Sequence, residues 1–232
     1  MAAKQEMAAK QEFNSDPNEC IIMHTQDMEW EDTEHPGVSH KLLERVIDPE
    51  KGRETMLLRF AAGATLETEE LTERLDFFVL EGTYTDGTGE YGPRTFVRHP
   101  AGTRHTPSSK DGCVLYAKRR NPIRDDDEHI VIDTNSVEWT AFPHRGADVV
   151  HFYRDRHGIE TSRYGRVYPD KRIPSHDHAM GEETLIVDGC LMDEHDTYGP
   201  GSWFRFPIGV AHAPYTESED CFMLIREGDL VW

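Results

Sequence analysis

Basic side chains are in short supply. Lys and Arg number 25 against 44 Asp and Glu, a formal charge of −19 over 232 residues. A field of that sign repels phosphate backbones and argues against nucleic acid as a partner. Long apolar runs are also missing. None approaches the ~20 residues of a membrane span, and the start of the chain lacks the apolar core of a signal peptide. The expectation is a soluble cytoplasmic protein with no membrane partner. Cysteine is sparse: Cys20, Cys113, Cys190 and Cys221 make neither a Cys-x-x-Cys pair nor a disulfide framework. Cys113 and Cys221 each open an apolar run and are expected as buried small hydrophobes, and Cys190 beside a turn carries no cofactor role. Helical periodicity is absent as well, the one candidate for a short helical turn being Glu69 to Asp76. No phosphate-cradling Gly-rich loop, hydrolase nucleophile elbow or dinucleotide fingerprint occurs, which sets phosphoryl transfer and serine hydrolysis aside.

What the chain has is short strands. Met56–Phe60, Phe77–Leu80, Thr95–Arg98, Val114–Ala117, Ile130–Ile132, Val149–Tyr153, Leu185–Val187 and Phe222–Ile225 are rich in β-branched and aromatic residues, and Gly, Pro and Asp turns separate them. That pattern predicts an all-β sandwich or jelly-roll barrel.

The chain also repeats itself. Trp30 and Gly37 recur as Trp139 and Gly146, and Gly52-Arg-Glu-Thr recurs as Gly158-Ile-Glu-Thr. Gly82, Asp86, Tyr91-Gly-Pro, Arg98, Pro100, Gly102, His105 and Pro107 match Gly189, Asp193, Tyr198-Gly-Pro, Arg205, Pro207, Gly209, His212 and Pro214 at one constant offset. Two copies of one unit are implied, each about a hundred residues, an ordinary domain size. The expected organisation is an extended arm over 1–25, a first unit over 26–120 and a second over 129–232, with a charged linker near Arg119–Glu128. Residues 1–6 are repeated verbatim as 7–12, as in a duplicated start, and stand outside the fold argument.

Chemistry concentrates in the second copy. Residues two apart on a strand face one side, so His176 and His178 can converge on one ion; Glu182 would add an anionic oxygen and His212 would arrive from another strand. Three imidazoles and a carboxylate suit iron, zinc, nickel, copper or manganese, and not calcium or magnesium. Glu183 is a rival for the carboxylate role. In the first copy the matching positions are Glu69, Leu71, Leu75 and His105. Two leucines cannot bind a metal, so that copy is expected to be metal-free unless Glu69, Glu70 or Glu73 pairs with His105 in a shifted register. Arg94 there replaces the glycine that would match Gly201.

The spacing His176-x-His178, three residues, Glu182, six residues, Gly189, followed by Gly201, five residues, Pro207-x-Gly209-x-x-His212, resembles the two motifs of the cupin superfamily. Asp170 stands where the first motif usually opens with glycine, a departure that touches a turn and spares the ligands. Within the superfamily, Gly-Arg-Glu-Thr-Met-Leu-Leu-Arg-Phe-Ala-Ala-Gly, Gly-Glu-Glu before Val-Asp-Gly, Tyr-Gly-Pro-Gly-Ser-Trp and Asp-Gly-Cys113 are similar to the ChrR-like cupins over residues 26 to 228. The resemblance implies a duplicated double-stranded β-helix, a bicupin. It implies zinc at His176, His178, Glu182 and His212, with Glu182 favoured over Glu183, and, by analogy with other cupins, a homodimer. Sigma-factor binding is not expected, because the N-terminal zinc motif that accompanies it in the anti-sigma factors does not occur in this sequence.

Related stand-alone cupins include non-haem iron dioxygenases acting on small diketones and hydroxyketones, which makes one iron(II) or zinc(II) per chain the expected cofactor. Glu182 is a candidate base, and Arg163, Arg166, Tyr168, His151, Tyr153, Trp203 and Arg205 are candidate pocket residues. An arginine in the mouth would favour an anionic substrate. Three readings stand open: an iron oxygenase on a small oxygenated molecule, a zinc-holding sensor without turnover, and a metal-dependent isomerase or lyase.

Overall fold

The computed structural model describes residues 11–121 and 127–228. Residues 1–10 of the duplicated start and 122–126 of the expected linker lie outside them. Among the described residues the regular elements are all strands, apart from one 3-10 turn at Thr25–Asp27. No helix is long and apolar enough to cross a membrane. The helical turn expected within Glu69 to Asp76 does not form. Glu69–Glu70 is instead a strand paired with Arg104–His105, and Arg74–Gly82 is a long strand whose buried face ties it to the sheet.

Two seven-stranded antiparallel sheets carry the molecule, and they have the same order. In the first, Ile130–Asp133, Thr95–His99, Arg74–Gly82, Cys113–Arg120, Arg53–Phe60, Val38–Val46 and Glu31–Asp32 lie side by side. In the second, Ile21–His24, Ser202–Phe206, Glu182–Asp188, Cys221–Glu227, Thr161–Val167, Ala147–Arg154 and Thr140–Phe142 take the corresponding places. The outermost strand of each sheet comes from the other repeat. Ile21 pairs with Arg205 and Ile130 with the matching Arg98, so each barrel is closed by a strand the other repeat supplies. The arm over residues 21–24 is thereby an integral strand of the second barrel, and the strand following residue 129 belongs in space to the first. This exchange covers one sheet edge of each barrel with paired backbone.

Each sheet packs on both faces, which is why its strands read as nearly unbroken runs of buried residues. One face of the first sheet lines a barrel interior filled by Met56, Phe60, Leu71, Leu75, Phe77 and Tyr84. The interior of the second is lined by Val167, Ile186, Tyr198, Phe204, Phe206 and Met223. Between the sheets lies a shared core of Leu43, Phe78, Phe96, Phe152, Tyr164 and Trp203, with Phe96 and Phe152 stacked at 4.3 Å.

Charged side chains also enter this layer, always in pairs. Arg98 holds Asp76 through two bonds of 2.9 Å, Arg74 holds Glu160 at 2.8 and 3.0 Å, and Arg226 reaches Asp76 at 2.8 Å. On the other side Arg53 grips Glu44 at 2.9 and 3.0 Å, Arg205 joins it, and Lys118 bonds Glu183. Burial opposes ionisation of Asp76, but its three arginines outweigh it and hold the carboxyl well below the usual range. Removing one partner of such a pair strands a buried charge at a cost of about 3–5 kcal/mol.

Candidate metal centre

The strands that bear the second motif place three imidazoles around one point. His176 lies on the short strand His176–Asp177, directly opposite His212 on Ala211–His212. His178 follows two residues on, and Glu182 opens the strand Glu182–Asp188. One ring nitrogen from each of His176, His178 and His212 lies within 4.8 Å of the other two. His178 Nε2 and His212 Nε2 are 3.4 Å apart, and Glu182 Oε2 stands 2.6 Å from the first and 3.5 Å from the second.

Each imidazole is held from behind. The Nδ1 of His176 donates to the carbonyl of Pro174 at 3.0 Å, that of His178 to Glu227 Oε1 at 3.2 Å, and that of His212 to Asp193 Oδ2 at 3.1 Å. Asp193 is itself fixed by the Tyr198 hydroxyl at 2.9 Å and by two backbone N–H groups. With Nδ1 committed to an acceptor, Nε2 is the atom each ring offers to the centre, the arrangement that orients metal-binding histidines. Thr184 donates to Glu182 Oε1 at 2.6 Å, which turns Oε2 inward. That oxygen is buried and makes no well-angled hydrogen bond despite the nearby imidazoles. A buried carboxylate oxygen set against two of three converging imidazoles is a donor set that a cation completes once the rings are neutral at Nε2.

The electrostatics agree with that reading. Burial opposes ionisation of Glu182, yet its contacts with His178 and His212 bring its pKa down to about 2. Burial likewise lowers His178, but Glu182 and Glu227 outweigh it and raise the imidazole to about 9. His176 is lowered, first by burial and then by the neighbouring rings. The set holds three nitrogens and one oxygen and no thiolate, which fits a borderline transition metal and lacks the six to eight oxygens calcium requires.

The four residues sit on one wall of a cavity of about 390 Å³ inside the second barrel. His151, Arg163 and Arg166 line it, as the sequence suggested. The other pocket candidates go elsewhere, for a reason of period. On Ser202–Phe206, Phe204 and Phe206 face the barrel interior, so Trp203 and Arg205 face the opposite way. Arg205 is fully buried between the barrels, where it donates to Glu44 and to the carbonyls of Asn14 and Asp16; its expected place in the barrel mouth is corrected. Tyr153 lies under Arg98 at 3.7 Å, on the inter-barrel side. Tyr168 does not line the cavity: its hydroxyl donates to Asp148 Oδ2 at 2.5 Å and its ring lies under Arg166. Glu183 faces away from the centre and is bonded by Tyr116 and Lys118. Asp193 and Glu227, the supports of His212 and His178, are not singled out by any sequence motif, although Asp193 is a repeated position.

The model of the ChrR cupin-like domain matches the sequence twice, over residues 18–122 and 127–231. The chain belongs to this family. Its fold is that of a bicupin, with cupin neighbours among solved structures. A candidate dioxygenase from Nostoc punctiforme PCC 73102 superposes with a TM-score of 0.78 at 13% identity, over 90% of this chain and 82% of that one. A candidate glyoxylate-induced protein from Pseudomonas aeruginosa gives 0.74 at 13% identity, over 90% and 87%. The oxalate decarboxylase of Bacillus subtilis, a protein with Mn(II) centres, gives 0.63 at 11% identity, over 90% and 77%. At such identities the likeness is one of fold. No curated protein matches the chain.

Within the family's twofold match, the two barrels differ at the ligand positions. Leu71 and Leu75 take the places of His178 and Glu182 and are buried in the apolar interior. His105 instead bonds Glu69 at 2.9 Å, and Asp86, which matches Asp193, bonds His99 at 2.6 Å. Asp170 adopts a left-handed φ of +56°, making without glycine the turn the motif needs. Arg94 does the same at +68°, where its counterpart Gly201 has +81°.

Proposed function

We propose that the second barrel is a metal-dependent oxidoreductase site, an iron(II) dioxygenase acting on a small oxygenated molecule of the diketone or hydroxyketone kind. The observation that carries this reading is the convergence of three Nδ1-anchored imidazoles and Glu182 Oε2 on the wall of a cavity large enough for such a molecule. Iron(II) at these residues would supply Lewis-acid and one-electron chemistry toward a chelating enolate and dioxygen.

The chain's own groups supply the rest. Pro174, Glu227 and Asp193 fix the imidazoles so that little reorganisation is needed when a ligand arrives. Val149, Ile173, Met223 and Ile225 wall the cavity with hydrocarbon and limit water there. Glu182 is ionised, with Thr184 on one oxygen; the other faces the centre, where it either ligates or takes a proton from the acidic carbon between two carbonyls.

A second reading has its own support. Three imidazoles around one point, with Glu182 Oε2 against two of them, also suit a closed zinc site in a sensing cupin without turnover. Oxygen uptake by iron-loaded protein, measured with a panel of β-diketones and hydroxyketones, separates the two. Substrate-dependent uptake that Glu182→Gln and His176→Ala abolish is the expected result. Tightly held zinc without any uptake would overturn the oxygenase reading and leave the sensor.

A further inference from the structure

The register of the second sheet arranges its cavity-facing residues in rows. Arg154 pairs with Thr161, Thr161 with Glu227, and Glu227 with Glu182, so one row runs from the candidate ligand to an arginine at the rim. The next row is His151, Arg163, Ile225 and Thr184. The row after it is Val149, Gly165, Met223 and Ile186, which is apolar. Along these rows the polar residues gather toward Glu182, while Asp148 and Arg166 line the cavity beyond the apolar row.

Four arginines line this one cavity, Arg145, Arg154, Arg163 and Arg166, in a chain with only 25 basic residues and a charge of −19. Two of them are committed. Arg163 holds Glu227 at 2.5 Å and thereby backs His178, and Arg166 holds Asp220 at 2.7 Å. The other two, Arg145 and Arg154, are exposed at the rim, and neither pairs with a carboxylate among the described residues. Among the lining carboxylates, Glu182 faces the imidazoles, Glu227 faces Arg163, and Asp148 accepts from Tyr168. The uncommitted charge of the cavity is thus positive within a strongly negative molecule, and low-dielectric walls focus such a field.

We propose that this cavity takes a small oxo- or hydroxy-acid, its carbonyl or hydroxyl oxygens toward the four ligands and its carboxylate on Arg154, with Arg145 adding attraction at the rim. The proposal rests on the metal-site reading and narrows its substrate class from neutral diketones to their carboxylate-bearing relatives. The span supports it. Arg154 is three strand spacings from Glu182, roughly 14 Å along the sheet, and the Arg and Glu side chains shorten that to the length of a small molecule. A guanidinium also presents the two-pronged donor that a carboxylate matches.

The test uses full-length protein loaded with zinc, so that binding is read without turnover, and two probes that differ by one carboxylate, acetylacetone and 2,4-dioxovalerate. Calorimetric titration is expected to show dioxovalerate binding at least about tenfold more tightly, the scale of one charged hydrogen bond. Arg154→Gln should remove most of that preference and Arg145→Gln a smaller part, with metal content and unfolding temperature as in the wild type. Equal binding of the two probes, or a preference that survives both substitutions, would overturn the proposal while leaving the metal site standing. Should the protein hold no metal yet keep an Arg154-dependent preference, the metal reading would fail and the carboxylate seat would remain.

Discussion

The two barrels share strand order, register and exchanged edge strand, yet one has an apolar cluster where the other has a polar-lined cavity of about 390 Å³. Their interiors can be compared position by position. Leu58 pairs with Leu115 and that with Val79 in the first; Gly165 pairs with Met223 and that with Ile186 in the second. Where the first barrel has Met56, Phe60 and Phe77, the second has Arg163, Val167 and Thr184. The ring of Phe77 packs against Tyr84 at 5.0 Å and Tyr91 at 5.6 Å, where the second barrel has Thr184 bonded to Glu182. The backbone tolerates both solutions because the inter-barrel core and the exchanged edge strands are common to the two repeats. One repeat can then spend its interior on packing and the other on a site.

The sharpest way to break this comparison is to empty the full barrel. Phe77→Ala should cost about 3–5 kcal/mol in urea unfolding, the usual penalty for deleting a buried aromatic ring, with metal content unchanged. A loss of metal there would mean that the first interior supports the second site.

Next in size is the pair of matched aspartates. Asp193→Asn should weaken metal binding ~10–100-fold, as loss of an outer partner does, because it loosens His212. Asp86→Asn should leave metal affinity as it is and lower stability alone, since its partner is His99. Equal effects of the two would contradict the asymmetry.

Smaller again is a pH effect peculiar to the second barrel. A metal needs His178 neutral at Nε2, and the raised pKa of about 9 means a proton competes at neutral pH. Apparent affinity should therefore rise about tenfold per pH unit from neutrality and level off near His178's pKa; His176, lowered, adds nothing in that window. Competition against a chelator of known protonation behaviour checks the slope, and a flat profile would show that His178 carries no proton to displace.

The mildest test lies at Gly165. An added Cβ would meet Ile225 Cδ1 at 3.2 Å, the end of a flexible side chain, so Gly165→Ala should change stability by less than about 1 kcal/mol while trimming the cavity. A larger loss would mean that the hollow interior is more tightly built than its residues indicate.

Much of this architecture was legible in the sequence, because duplication and the Gly/Pro spacing survive in single residues. All eight strands marked by apolar runs exist. Three that were not marked, Val38–Val46, Thr161–Val167 and Ser202–Phe206, carry charges or a glycine within them. Some of those charges are buried in pairs between barrels, as with Glu44 and Arg205, and a pair formed across 161 residues leaves no local signal. The exchange of edge strands was hidden for the same reason: nothing in Ile21–His24 says which repeat it will join. Tyr168 and Arg205 were misplaced because strand period fixes which neighbours share a face but leaves open which face is the pocket.

Metal content per chain, measured by elemental analysis on protein purified without chelators or a nickel column, tests the central asymmetry most directly when wild type, His105→Ala and His212→Ala are compared. The expected result is about one transition-metal ion in the first two and almost none in the third. Two ions in the wild type, or equal loss in both variants, would contradict a site confined to His176, His178, Glu182 and His212.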